Sequence, residues 1–297
     1  MDADDAIKIV LMAGIMLTVT SVGLRSRPAD TLLLLRNPRL GVRAMVSMFV
    51  LMPLFVIGLT WVLPVVDQAA HAALIALAVS PMPPILPRRQ FKVGAGGDYA
   101  VGLQVLASLF SIVIAPIFIW LAGRLEGVAT VFDPAEALRV LAVTIGGPLA
   151  AGILIARLWP RAAALSTPLA RVALLVLVAG GAVALVAEAS EIASQIGHGV
   201  LLVIAAIVLF GLIVGHLLGG PDAGNRGALA LATSARHPGL AVTLATANFP
   251  HDKRAIVAAV LLFLLANLVL TLPYTLWRQR RARSGRKREE LPSSDST

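Results

Sequence analysis

A short polar cluster interrupts the apolar segment over residues 225–248 near its middle. Its members are Thr233, Ser234, Arg236 and His237, and Pro238 follows them. An arginine at membrane depth is costly unless it faces protein, water or a counter-ion, so such residues are functional candidates by default. A cationic cluster favours carboxylate or sulfonate ligands. The alternative is that Arg236 is wholly structural, which leaves the charge of a ligand open.

A second unusual segment, HAALIALAVSPMPPILPRRQF, carries prolines throughout its second half. Each proline removes a backbone donor and clashes with the preceding turn, so the segment cannot form a continuous helix. The candidate site residues here are Ser80, Pro83, Pro84, Arg88 and Arg89. The two arginines have a second interpretation, since they could simply mark a cytoplasmic helix end that follows the positive-inside rule.

Two proline-broken segments in comparable places of the chain indicate the central site of an inverted-repeat transporter. A broken helix exposes backbone groups, and these are tolerated only where they line a cavity or are buried in protein. Gln104 and Asn267 lie in other apolar segments and are further site candidates. Hydrogen bonding between helices is the commoner role of such residues.

The elements that position these residues are membrane-spanning helices. Hydrophobic residues make up 58% of the 297-residue chain and charged residues only 14%, whereas soluble domains carry about 25% charged residues. Apolar segments of about 20 residues, enough to span a bilayer, recur along the chain. The sequence therefore predicts an all-α membrane protein with about nine transmembrane helices. They cover residues 6–24, 40–63, 69–87, 98–122, 135–158, 165–187, 197–218, 225–248 and 254–277.

These segments form a single predicted transporter domain over residues 1–277. Its first inverted repeat covers about 1–124 and its second about 134–277. Residues 278–297 form a basic tail that we expect to be disordered. The segment PADTLLLLRNP is predicted to lie along the cytoplasmic interface as an amphipathic helix.

The distribution of charge predicts how the chain sits in the membrane. The formal charge is +9, and most arginines and lysines lie in alternate joints between the apolar segments and in the tail. This pattern predicts an inner-membrane protein whose N-terminus is outside and whose C-terminus is cytoplasmic. The basic residues do not form a face with interleaved aromatics, so nucleic acid is not an expected partner.

Three stretches resemble the bile acid:sodium symporter family: GLRSRPADTLLLLRNPRLGVRAMVSMFVLMPL, SPMPPILPRRQFKVGAGGDYAVGLQVLASLFSIVIAPI and ATSARHPGLAVTLATANFP. The resemblance implies two discontinuous helices that cross at the bilayer centre. It also implies a panel domain, a core domain and two sodium ions behind the crossover.

The sequence departs from the family at the positions that bind sodium. Aligned on the Gly-Gly-Asp turn, the family's Ser-Asn pair falls on Arg88 and Arg89, and aligned on Pro-Gly-Leu-Ala, its Glu and Gln fall on Ala232 and Arg236. We therefore expect a guanidinium to take the electrostatic role of the bound cation. Coupling to Na⁺, or to H⁺ through His237, is the alternative.

The predicted function is alternating-access transport of a small organic anion across the lipid bilayer, with no cofactor and no metal site. A membrane-embedded enzyme is disfavoured because the histidines are scattered singly and the sequence lacks HExxH, GxSxG or paired intramembrane acids. A receptor or assembly subunit that transports nothing is the rival of another class.

Overall fold

The computed structural model describes residues 3–26, 33–63, 67–125, 134–196, 199–249 and 251–289. These ranges are helical, with short connections and no strand, so the all-α prediction is confirmed for them. The helices are α1 (Ala3–Arg25), α2 (Pro38–Val62), α3 (Gln68–Val79), α4 (Leu86–Lys92), α5 (Gly97–Leu125), α6 (Pro134–Leu141 continued by Gly147–Leu158), α7 (Ser166–Ala187), α8 (Ala189–Ile196), α9 (Val200–Leu218), α10 (Ala223–Ser234), α11 (Pro238–Asn248) and α12 (Lys253–Glu289).

Six helices in the described ranges are long and apolar enough to cross a membrane. They are Pro38–Val62, Gly97–Phe118, Ala135–Leu158, Pro160–Ala187, Val200–Leu218 and Lys253–Ser284. Met12–Arg25 and Gln68–Val79 are shorter apolar helices. The predicted count of nine is therefore not confirmed: two of the predicted segments are each divided into two short helices, and the first contributes only the shorter apolar helix Met12–Arg25. Nine crossings, the two repeats and the panel and core domains stay predictions.

Both α2 and α6 contain one widened π-helical turn just before a proline. The turn in α2 is Ser47–Leu51, ahead of Pro53, and the turn in α6 is Ala142–Gly146, ahead of Pro148. Proline has no N–H and cannot bond to a carbonyl in the preceding turn. A π turn pairs residues five apart, so the carbonyl of Met48, five residues before Pro53, is left for another donor.

Glycines bring α10 directly against α9. A Cβ added to Gly211 would lie 2.7 Å from the Cα atom of Ser234, and one added to Gly215 would lie 2.6 Å from the Cα atom of Ala230. Such contacts between small residues allow the backbones of membrane helices to approach closely. The last turns of α10 are therefore held on α9 by backbone packing.

The structure describes part of two segments that lie outside the predicted spans, residues 28–38 and the tail. Of the predicted interfacial helix, residues 33–36 are helical, and residues 27–32 lie outside the described ranges. Residues 278–289 of the predicted tail continue α12, which ends at Glu289. Arginine, alanine and glutamine favour helix in this region, and the Arg278 guanidinium donates to the carbonyl of Ala223. Residues 290–297 lie outside the described ranges.

Candidate functional site

The break between α3 and α4 meets the break between α10 and α11. The backbone N–H of His237 lies 2.9 Å from the carbonyl oxygen of Pro81 and 3.2 Å from Oγ of Ser80, to which it also donates. Both breaks thus use their irregular backbone in hydrogen bonds to each other, as buried backbone at membrane depth requires. We call the residues around this contact the crossing.

The guanidinium of Arg236 lies at the centre of the crossing. Its side chain is almost fully buried, with 2% exposed. Nη1 donates to the carbonyl of Ser80 at 3.2 Å, and Nη2 donates to the carbonyl of Met48 at 2.9 Å. Ser80 caps the C-terminus of α3, where helix dipoles favour a cation. One side chain therefore joins the π turn of α2 to the broken end of α3.

The charge of Arg236 has no carboxylate partner among the described residues. The ion pairs in those ranges join Arg139 to Glu136 and Arg254 to Glu188. Nε of Arg236 is buried and has no hydrogen-bond partner there. A buried charge without compensation is costly, so this site has an unused capacity to interact with an anion.

His237 acts as the N-cap of α11. Its Nδ1 accepts a hydrogen bond from the backbone N–H of Leu240 at 3.3 Å. An accepting Nδ1 places the proton of a neutral imidazole on Nε2. Nε2 is buried and finds no partner in the described ranges.

Thr233 and Ser234 connect the end of α10 to its neighbours. Oγ1 of Thr233 lies 2.7 Å from Oγ of Ser47 in the π turn of α2. Oγ of Ser234 donates to Leu231 within α10, and its carbonyl accepts from Nδ2 of Asn267 at 2.8 Å. At the crossing, the carbonyl at the C-terminus of α3 therefore accepts a hydrogen bond from Arg236, and the carbonyl at the C-terminus of α10 accepts one from Asn267.

The remaining candidates near the first break are also buried or half-buried. Oγ of Ser80 donates to the carbonyl of Leu77 at 2.9 Å. Pro83 and Pro84 are half-buried in the turn that leads to α4. Nε2 of Gln104 donates to the carbonyl of Met82 at 3.2 Å, and its Oε1 is buried without a partner among the described residues. Gln104 therefore holds the irregular turn against α5.

Arg88 and Arg89 do not join this hydrogen-bond cluster. Arg88 is exposed, and Arg89 is half-buried. Nη2 of Arg89 donates to the hydroxyls of Thr271 and Thr275, at 2.9 and 3.3 Å. Those threonines lie about 6 and 12 Å along α12 from Asn267, at about 1.5 Å per residue. The interpretation of the two arginines as a helix end fits this placement better than a role beside Arg236.

Sequence reasoning missed three contributors to the site. Ser47 and the carbonyl of Met48 come from α2, and the signal that could have revealed them is the proline at position 53 in an apolar span. Gln90 is fully buried, and its Nε2 donates to the carbonyl of Ala228 at 3.0 Å. It directly follows the two arginines, and this polar stretch is typical of a solvent-exposed helix end, so its burial was not predicted.

The arrangement provides one fixed cation, capped helix ends and hydroxyls. No group of three His, Cys, Asp or Glu side chains that could hold a metal occurs within the described ranges.

The family model described as "Sodium Bile acid symporter family" matches residues 11–195, which is more than half of the chain. The match includes α3, α4 and α5 and ends before α10. Among curated proteins, none matches the chain. The protein is a multi-pass membrane protein that belongs to the sodium bile acid symporter family, a family of membrane transporters.

Proposed function

We propose that this protein is a secondary carrier that moves a small organic anion across a bacterial-type inner membrane by alternating access, and that it does so without sodium. The observation that carries the proposal is the buried guanidinium of Arg236. It is bound to two carbonyl oxygens, has no described carboxylate partner and retains a free Nε. A carboxylate or sulfonate would supply the missing charge.

Sodium independence is supported by the two C-terminal helix ends at the crossing. Carbonyl groups at a helix C-terminus carry partial negative charge and attract cations. The guanidinium of Arg236 donates a hydrogen bond to the carbonyl of Ser80, and the amide of Asn267 donates one to the carbonyl of Ser234. Because the protein's own side chains occupy both positions, the crossing has less need of a bound cation.

An orientation with the N-terminus outside and the C-terminus cytoplasmic is part of the proposal. On this view, the panel and core domains rock about the crossing so that Arg236 faces each side of the membrane in turn. The substrate's negative charge offsets the cost of the buried arginine when the site is loaded. An anion that binds there therefore stabilises the occluded carrier.

A proton-coupled symporter is the second candidate, and the free Nε2 of His237 is the observation that favours it. Against it stands the cap that Nδ1 provides to α11. A proton on Nδ1 would remove that acceptor and leave an unmet donor at the helix start. A doubly protonated imidazole beside a buried guanidinium would also add like-charge repulsion.

The test is transport by purified protein in liposomes with a panel of labelled carboxylates and sulfonates. We expect flux of at least one of these anions. Arg236→Gln should lower the initial rate by about tenfold or more, because a charge-assisted contact is worth about 1.5–3 kcal/mol. Arg157→Gln is the matched control, since Arg157 is exposed on α6, and it should leave the rate unchanged.

The outcomes separate the classes of function. No flux of any solute from wild-type protein would favour a receptor or assembly subunit. Equal rates for wild type and Arg236→Gln would refute an anion site at the crossing. Flux that requires a pH gradient, and is lost in His237→Asn, would support the proton-coupled candidate.

A further inference from the structure

An apolar groove with a volume of about 320 Å³ runs along the outside of the helix pair α2 and α5. On α2 it is lined by Pro38, Val42 and Phe49, and on α5 by Leu106, Phe110 and Ile114. The spacings of four and seven residues place each set on one helix face. From Pro38 to Val50 the groove covers about 18 Å of helix at about 1.5 Å per residue, close to the depth of one leaflet.

Three arginines flank one side of this groove. Arg36, Arg39 and Arg43 each follow a lining residue, namely Leu35, Pro38 and Val42. All three are exposed, and none forms an ion pair with a residue in the described ranges. Arg39 and Arg43 are four residues apart on α2, which places them on one side of the helix next to the apolar stripe, and Arg36 precedes the bend at Asn37. The groove thus combines an apolar slot with cations at its side that have no ion-pair partner among the described residues.

We propose that this groove holds an acyl chain of an anionic phospholipid whose phosphate is bound by Arg39 and Arg43. Guanidinium groups recognise phosphate through paired hydrogen bonds and charge. Basic residues at a membrane surface attract anionic headgroups. A lone apolar solute would leave the arginines unused, and a free phosphate would leave the slot empty, whereas an anionic lipid satisfies both.

The groove is connected to the crossing through one turn of α2. Phe49 lines the groove, and the carbonyl of its neighbour Met48 accepts the hydrogen bond from Arg236. Both residues belong to the π turn Ser47–Leu51. Val50, in the same turn, also lines the groove and is 38% exposed. An acyl chain packed against Val50 restricts the movement of this turn, so the bound lipid stabilises the geometry that holds Arg236.

The first test is lipid retention by the full-length protein in native mass spectrometry. Delipidated protein is titrated with phosphatidylglycerol or with phosphatidylcholine of the same acyl chains. We expect tighter binding of phosphatidylglycerol, weakened about fivefold for each arginine removed in Arg39→Gln and Arg43→Gln. Arg157→Gln with Arg161→Gln is the matched control, because both are exposed and remove the same charge.

The second test fills the slot and leaves the charges in place. Val42 lines the groove and Val113 does not, and both side chains are 60% exposed. Val42→Phe should weaken phosphatidylglycerol retention and reduce the rise in thermal midpoint that this lipid produces, whereas Val113→Phe should change neither. Equal retention of the two lipids by wild type would overturn the proposal. So would equal lipid binding by the Arg39 and Arg43 variants and the Arg157 and Arg161 control, or equal effects of Val42→Phe and Val113→Phe. So would a thermal shift from glycerol phosphate as large as that from the whole lipid.

Discussion

At the scale of single residues, the breaks at the crossing depend on side chains that donate to backbone carbonyls, beside one contact between two hydroxyls, those of Thr233 and Ser47. Arg236 donates hydrogen bonds to the carbonyls of Ser80 and Met48. Asn267 donates to the carbonyl of Ser234, and Gln104 donates to that of Met82. A broken membrane helix leaves carbonyls without their usual donors, and each must find one inside the protein. These residues therefore maintain the shape of the break, and Arg236 alone adds a charge.

Asn267 provides a test of this division of roles. Asn267→Ala should lower stability by about 0.6 kcal/mol and by no more than about 1.7 kcal/mol, the average and the maximum for hydrogen bonds between membrane helices. It should also lower transport, because the freed carbonyl of Ser234 lies at the crossing. The measurements are the thermal midpoint and the initial rate of uptake.

Gln195 offers the matched control for Asn267. It is also buried, and its Nε2 donates to a backbone carbonyl of α12, that of Ala255, at 2.9 Å. Gln195→Ala should cost similar stability and leave the uptake rate unchanged. Equal loss of transport in both variants would show that Asn267 contributes only to packing.

At the scale of elements, the prolines were enough to predict that two helices are broken. They were not enough to predict that the two breaks contact each other. A proline's effect on its own helix is local, whereas the bond between His237 and Pro81 joins residues far apart in the chain. The carbonyl of Met48 could not be predicted as a hydrogen-bond partner of Arg236, because it belongs to the backbone of another span. Arg88 and Arg89 were grouped with Arg236 because sequence does not give the depth at which α4 runs.

The π turn of α2 leads to a prediction about Pro53. Pro53→Ala restores a backbone N–H that can bond to the preceding turn and so competes with Arg236 for the carbonyls of that turn. We expect a clear loss of transport with little loss of stability, since replacing an internal proline usually favours the helix. Uptake and thermal midpoint are measured together.

Pro148→Ala is the control for Pro53→Ala, because α6 has the same π turn before a proline. Among the described residues, no side chain donates a hydrogen bond to Val143, the position that corresponds to Met48. Uptake should therefore fall much less in Pro148→Ala. A larger loss in Pro148→Ala than in Pro53→Ala would contradict the role given to the π turn.

The contact between α9 and α10 leads to a second prediction at this scale. Gly215→Ala places a Cβ 2.6 Å from the Cα atom of Ala230, so the two helices must separate. We expect a loss of about 1–3 kcal/mol, as for other overpacked sites, read as a lower thermal midpoint. Gly181→Ala is the control, because a Cβ there meets nothing within 4 Å. Similar midpoints for the two variants would show that α10 is not held by this contact.

At the scale of the whole molecule, the protein belongs to a family of sodium symporters and carries a buried arginine at its crossing. Sequence composition was enough to predict the membrane helices, because lipid allows few other solutions. The number of crossings stays a prediction, since the broken helices of the described ranges are each too short to count as spans by length and composition. The proposed account is that a fixed guanidinium replaces a mobile coupling cation.

The most direct test of that account is the dependence of uptake on sodium. Initial uptake of a transported anion into proteoliposomes is measured in sodium chloride and in choline chloride at equal ionic strength. We expect equal rates in the two salts, because the charge at the crossing is covalently attached at Arg236. A saturable, sodium-specific rise in the rate would contradict it and would show that this carrier binds sodium through ligands other than those considered at the crossing.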